Sequence, residues 1–226
     1  MQNGRTSRDD AIEVVRSFVE VAESSGRDDL VLRISDLGDR LADPAITLVV
    51  VGEYKQGKSS LVNALLQTDV CAVDDAVPTS LPTFLRHARQ PSAAAVYGFA
   101  DAQRVEDVPL DRAAALTTAD PSALDHAPTS LVLGLPRQLL EGGLVVVDTP
   151  GIGGLDSRHG VATAGALGQA DAVIFVSDAS QELTATELDF LLLARRRCPT
   201  VALALTKVDI NPAWRKIAGL DRGHLE

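Results

Sequence analysis

Residues 52–60 read GEYKQGKSS. Two glycines with four residues between them, followed by Lys58 and Ser59, form a pattern that can hold a chain of phosphates. The glycines allow tight curvature, and the loop amides and the following helix N-terminus face the anion. Lys58 can reach the terminal phosphates, and the Ser59 hydroxyl suits Mg²⁺. The candidate nucleotide contacts are therefore Gly52, Glu53, Tyr54, Lys55, Gln56, Gly57, Lys58, Ser59 and Ser60. The pattern needs one lysine; the use of Lys55 is an open question.

Three further groups belong to the same chemistry. Asp148-Thr149-Pro150-Gly151 follows the apolar run LVVV. An aspartate there can anchor Mg²⁺, and the Gly151 N–H can meet a γ-phosphate; the plain reading is a Pro-Gly turn. Thr206-Lys207-Val208-Asp209 follows VALAL. A buried Asp209 carboxylate can accept from guanine N1–H and the 2-amino group and would be left unpaired by adenine. The Lys207 stem can lie along the base; the plain reading is a solvated turn. Between Gln67 and Phe84 lie Thr68, Thr79 and Thr83. Thr79 is the chosen residue to close over Mg²⁺ and the γ-phosphate, with Thr83 the fallback. Together the motifs predict a guanine-nucleotide domain using GTP/GDP and Mg²⁺, with Ser59, Thr79 and Asp148 at the metal and Lys55, Lys58, Ser59 and Thr79 in catalysis.

The spacing of apolar residues says what positions these groups. Ile12, Val15, Phe18, Val19 and Ala22 recur at helical spacing, as do Leu30, Ile34, Leu37 and Leu41. They predict two helices, over 9–23 and 28–42, forming a hairpin broken at Ser24-Ser25-Gly26. From Ile46 the pattern changes. Strands are expected at 46–51, 82–88, 93–99, 130–135, 144–148, 171–177 and 200–205, with 82–88 and 93–99 paired to each other. Helices are expected at 58–67, 111–118, near 158–168, at 184–197 and from Pro212. Alternation of apolar strands with helices predicts an α/β fold with a mainly parallel sheet covered on both faces. The motifs fall at strand carboxyl ends, where such sheets bind ligands. The domain reading is helices over 1–44 and a nucleotide domain over 45–226.

Composition narrows the partners. The 226 residues are 46% hydrophobic with net charge −10. That is enough for one domain core and a small appendage, and argues against broad contact with nucleic acid. Cys71 and Cys198 have no metal-ligand spacing and read as reduced thiols. The start, MQNGRTSRDD, lacks a signal-peptide pattern, and no apolar run reaches the ~20 residues of a membrane span. A soluble, cytoplasmic chain is expected.

The residue after Gly151 is Ile152, where many small GTPases carry a water-orienting glutamine. GEYKQGKSSLVNALL, PTSLPTFLRHA, DTPGIGGL and TKVD together resemble the motifs of the dynamin superfamily. Within it, VSDASQELT and TKVDINPAWR are similar to the isoniazid-inducible dynamin-like proteins of actinobacteria. The resemblance implies a GTPase that dimerises across its nucleotide face and works on membrane lipid through regions outside these residues. It also implies a partner contact in 176–187, at Glu182 with Asp178 and Gln181 nearby. The plain reading of that stretch is a helix start capped by Thr184 and Glu187. The family's fifth motif is not found in 1–226, so an N-terminal portion of a longer protein is expected, aggregating or binding nucleotide weakly by itself. At the position of Lys55, dynamins have a serine that helps hold a monovalent cation, and guanylate-binding proteins and atlastins have an arginine finger. Lys55 has three readings: a finger, a solvated lysine, or a partner contact. A monovalent cation enters if it is not the finger. The competing functions are a GTPase of the ribosome-assembly kind and a GTP switch with negligible turnover.

Overall fold

A computed structural model describes residues 7–42, 45–71, 79–98, 103–119, 124, 126–151, 163 and 165–225. The chain divides into two compact units, Met1–Ala45 and Ile46–Glu226.

In the first unit, α1 (Ser7–Ser24) and α2 (Asp28–Ala42) form a hairpin. The turn is held by Gly26 at φ 63° and by Arg27 paired to Asp29 at 2.8 Å. Val15 and Ala22 are buried, whereas Phe18 is 58% exposed. This differs from the expected stripe. At 100° per residue Phe18 falls midway between the buried Val15 and Ala22 and the exposed Val14 and Val21, at the edge of the stripe that one partner helix covers.

The second unit is built on β1 (Ile46–Val51), β2 (Thr83–His87), β3 (Ser92–Tyr97), β4 (Arg104–Asp107), β5 (Ser130–Leu135), β6 (Leu144–Asp148), β7 (Ala172–Asp178) and β8 (Thr200–Thr206). Its helices are α3 (Lys58–Leu66), α4 (Leu110–Thr118), α5 (Ala185–Arg197) and α6 (Trp214–Leu225). The expected helix near 158–168 lies mostly outside the described residues. The eight strands form one sheet in the order β4-β3-β5-β2-β6-β1-β7-β8.

The fold is α/β, with a mixed sheet. Four strand pairings are parallel and three antiparallel. Val50 belongs to the core on one face, and Val49 and Val51 to the core on the other. Burial on both faces explains the unbroken apolar run Leu48–Val51 in β1. β1 and β6 lie side by side inside the sheet, with their carboxyl ends together where Val50 pairs with Asp148.

The expected pairing of β2 with β3 is not formed. β5 lies between them, parallel to β2 and antiparallel to β3. Four residues, 88–91, carry the chain past the end of β5. Ala88 N donates to Leu135 O at 3.0 Å, and Ser92 then pairs with Gly134 from the other side. The missing side chain makes this crossing possible. A Cβ on Gly134 would lie 2.7 Å from Ala88 Cβ and 2.4 Å from Ser92 Oγ. The serine can rotate, but the alanine methyl cannot. Gly134→Ala is therefore expected to cost about 1–3 kcal/mol of unfolding free energy; an unchanged urea midpoint would refute the constraint.

Candidate functional site

The loop Gly52–Gly57 leaves β1 and enters α3 through Gly57, which has φ 89°. Lys58 is buried at the helix start. Its Nζ donates to the Glu53 carbonyl at 2.7 Å, across the loop. Burial pushes the Lys58 ammonium down to about 8, against the Asp148 and Glu53 charges that hold it up. Glu53 is itself pushed up by burial and by Glu187, with Lys58 opposing. Gly52 and Gln56 are buried, while Tyr54, Lys55 and Ser60 are exposed. Lys55 stands in the loop crown at φ 64°, its Nζ 5.4 Å from the Tyr54 ring centre.

Ser59, Thr79 and Asp148 come together. Ser59 Oγ donates to Asp148 Oδ2 at 2.8 Å and lies 3.4 Å from Thr79 Oγ1. Thr83, the fallback, is buried and donates to Leu81 O at 3.4 Å. Thr68 lies past the end of α3, its N–H bonded to Asn63 O. Asp148 is 1% exposed, and its Oδ1 has no hydrogen-bond partner among the described residues. Burial pushes this carboxyl up; the Ser59 hydrogen bond and the Lys58 charge pull against it. An orphaned buried carboxylate oxygen beside two hydroxyls is a set of hard oxygen donors and fits Mg²⁺. Thr149 Oγ1 donates to Val50 O at 2.7 Å and fastens the following turn to β1. Gly151 packs against the loop crown: a Cβ there would lie 2.8 Å from Tyr54 N.

The third motif is tied to the first. Thr206 Oγ1 donates to Gln56 O at 2.7 Å, joining the end of β8 to the phosphate-type loop. Lys207 has φ 54°, and its Nζ lies 2.9 Å from Asp178 Oδ2. Asp209 is exposed on the turn that follows, where the sequence led us to expect a buried carboxylate.

The stretch 176–187 is occupied within the chain. Thr184 and Glu187 form a reciprocal cap on α5, and Ser177 Oγ donates to Glu187 Oε1 at 3.2 Å. Asp178 accepts from Ser180 N at 2.9 Å as well as from Lys207. Gln181 and Glu182 are exposed, with Glu182 Oε2 3.3 Å from His224 Nε2.

Two residues at the site escaped the sequence reading. Asn63 Oδ1 accepts from Val70 N at 3.1 Å and Cys71 N at 2.9 Å, and its Nδ2 donates to Cys71 O at 2.9 Å. It roots the segment that leads toward Thr79. An asparagine inside a helix is the signal that could have found it. Cys71 is buried; burial and the Asp148 carboxylate push its thiol far up, so it remains neutral.

Among the described residues, no helix is long and apolar enough to cross a membrane. The sequence model described as "Dynamin family" matches residues 48–200. Isoniazid-induced protein IniA of Mycobacterium tuberculosis is 37% identical over 217 residues, taking in 95% of this chain and 34% of that protein. A bacterial dynamin-like protein of Nostoc punctiforme is 27% identical over 185 residues, 74% of this chain and 26% of its own. The chain thus spans about a third of the length of IniA. The solved structure of an oligomerised bacterial dynamin pair, described for long-range sensing and tethering of membranes, shares the fold with a TM-score of 0.64. It is 21% identical and covers 86% of this chain and 31% of that one. With the family match running from β1 into β8, through the phosphate-type loop and the Asp148 turn, this chain belongs to the dynamin family.

Proposed function

We propose that this chain binds GTP with Mg²⁺ and hydrolyses it to GDP and phosphate. The observation that carries the reading is the meeting of Ser59, Thr79 and the half-satisfied Asp148 at the N-terminus of α3. Ser59, Thr79 and Asp148 would hold the metal, which supplies charge neutralisation at the β- and γ-phosphates when bound. The loop amides and Lys58 take the phosphates. Gly151 offers its N–H to the γ-phosphate. Asp209 accepts from guanine N1–H and the 2-amino group, and a stacked base removes water from its carboxylate. Lys207 lies along the base. Lys55 supplies positive charge from the crown as charge develops on the bridging oxygen, in the role of a finger. Catalysis here is positioning and charge stabilisation.

The coupling to membranes comes from the relatives, one of which is described as tethering them. In the protein that carries this chain, turnover would drive self-assembly across the nucleotide face, with Gln181 and Glu182 exposed toward a partner, and membrane remodelling by other regions. The cytoplasm is the compartment where GTP is available to it.

Asp209→Asn exchanges an acceptor for a group that can donate. Xanthine carries a carbonyl where guanine has its 2-amino group, so GTP affinity should fall about 10–100-fold while xanthosine triphosphate gains. Loss of both would sink the base assignment; competition titration decides. The Lys58 ammonium is charged below about pH 8 and loses its proton above. GTP binding should therefore weaken as pH rises through that value, by up to about tenfold per unit, and Lys58→Arg should flatten the profile. Lys55→Ala should lower turnover about 10²-fold with little change in GTP affinity. Turnover should also be indifferent to replacing K⁺ by a large organic cation, and strong K⁺ dependence would reject the finger.

A further inference from the structure

Asp178 stands at the last position of β7, directly opposite Thr206 in the sheet register. Its carboxylate is 13% exposed and has both oxygens in use. Oδ1 accepts from the Ser180 N–H at 2.9 Å and from the Ser180 hydroxyl. Oδ2 accepts from Lys207 Nζ at 2.9 Å. Burial pushes this carboxyl up, but the hydrogen bonds from Ser180 and Lys207 outweigh it and hold the group below its usual range. Three hydrogen bonds within the chain already engage this carboxylate.

The lysine at the other end of the pair is in an uncommon state. Lys207 has φ 54°, a left-handed conformation that side chains other than glycine, asparagine and aspartate rarely take. The residue before it is bonded to the phosphate-type loop through Gln56, and Ala179 N donates to Thr206 O at 3.0 Å. A free lysine stem has four rotatable bonds. Tethering its ammonium at one fixed oxygen removes most of that freedom before any base arrives, which is the general route by which preorganisation strengthens binding.

From this geometry we propose that Asp178 is a positioning residue for the guanine site: it anchors the Lys207 ammonium so that the stem is already laid out for the base. The proposal rests on the reading of Thr206–Asp209 as the base motif. It replaces the partner-contact role suggested for Asp178 by resemblance, and leaves Gln181 and Glu182 untouched. Asp178 touches no substrate in this account; it acts through Lys207.

The test is a titration of the purified chain with a fluorescent guanosine diphosphate, with tripolyphosphate as a competitor that has no base. Asp178→Asn keeps an acceptor for the Ser180 N–H and removes the charge that holds Lys207. It should weaken the guanine nucleotide about five- to tenfold and leave the tripolyphosphate constant within about twofold. Lys207→Met, which keeps the stem and loses the ammonium, should weaken the nucleotide similarly. Combining the two substitutions should add little, because both remove one interaction. Equal losses for nucleotide and tripolyphosphate would mean general damage and would overturn the proposal, as would full additivity of the two changes. An unaffected nucleotide constant, with a change confined to the protein-concentration dependence of turnover, would return Asp178 to a partner contact. An unsubstituted chain that binds tripolyphosphate but shows no preference for guanine would overturn the base-motif reading itself.

Discussion

A carboxylate lifted almost wholly out of water sets the terms for everything around it. Asp148 ends a central strand, and its burial opposes the charge it carries. In a low-dielectric setting such a group is tolerated only beside positive charge or donors. Here the help comes first from the Ser59 hydroxyl and Lys58, both from the first turn of α3, then from Cys71 and the Thr149 backbone, and Oδ1 still lacks a hydrogen-bond partner among the described residues. The sheet register brings these groups together, because β1 and β6 end side by side and the loop rises directly from β1. Lys58 is strained in the opposite sense: it is a buried ammonium held below its ordinary range. Carboxylate and ammonium are each better off with a ligand that brings both a cation and an anion. A metal–triphosphate is such a ligand.

Outside this centre, the site is a set of loops fastened to one another. Thr149 binds the Asp148 turn to β1, Thr206 binds the turn after β8 to Gln56, and Gly151 leaves no space between its turn and Tyr54. Each connection joins loops from different strands, so the geometry belongs to the sheet end as a whole. Asn63 extends the arrangement on the α3 side by rooting Val70 and Cys71.

What could be read from the chain, and what could not, follows from the range of the forces involved. The motif loops, the central strands, the hairpin and the cap of α5 are local patterns: glycine placement, apolar runs, a threonine three residues before a glutamate. Thr79 was placed by its loop, and its hydroxyl lies near Ser59. Strand order was not local. β2 and β3 look like a hairpin because they are close in sequence, and only the packing at Gly134 shows why another strand fits between them. β4 is exposed along its whole length, so it carries no apolar alternation to betray it. The exposure of Asp209 and the inward use of Asp178 depend on what is stacked beside them, which no spacing encodes.

The insertion of β5 between β2 and β3 also governs when the protein can fold. Among the described residues, β1 pairs with β6 and β7, and β2 with β5 and β6. Among the described strands up to Asp107, β3 and β4 are the pair that forms without waiting for later residues. A ribosome that has released the phosphate-type loop has therefore released a strand with nothing to pair with, until roughly a hundred more residues emerge. Closing contacts so far apart in sequence makes folding slow. The meeting of Lys58 with Asp148 is correspondingly a late event in the life of the chain.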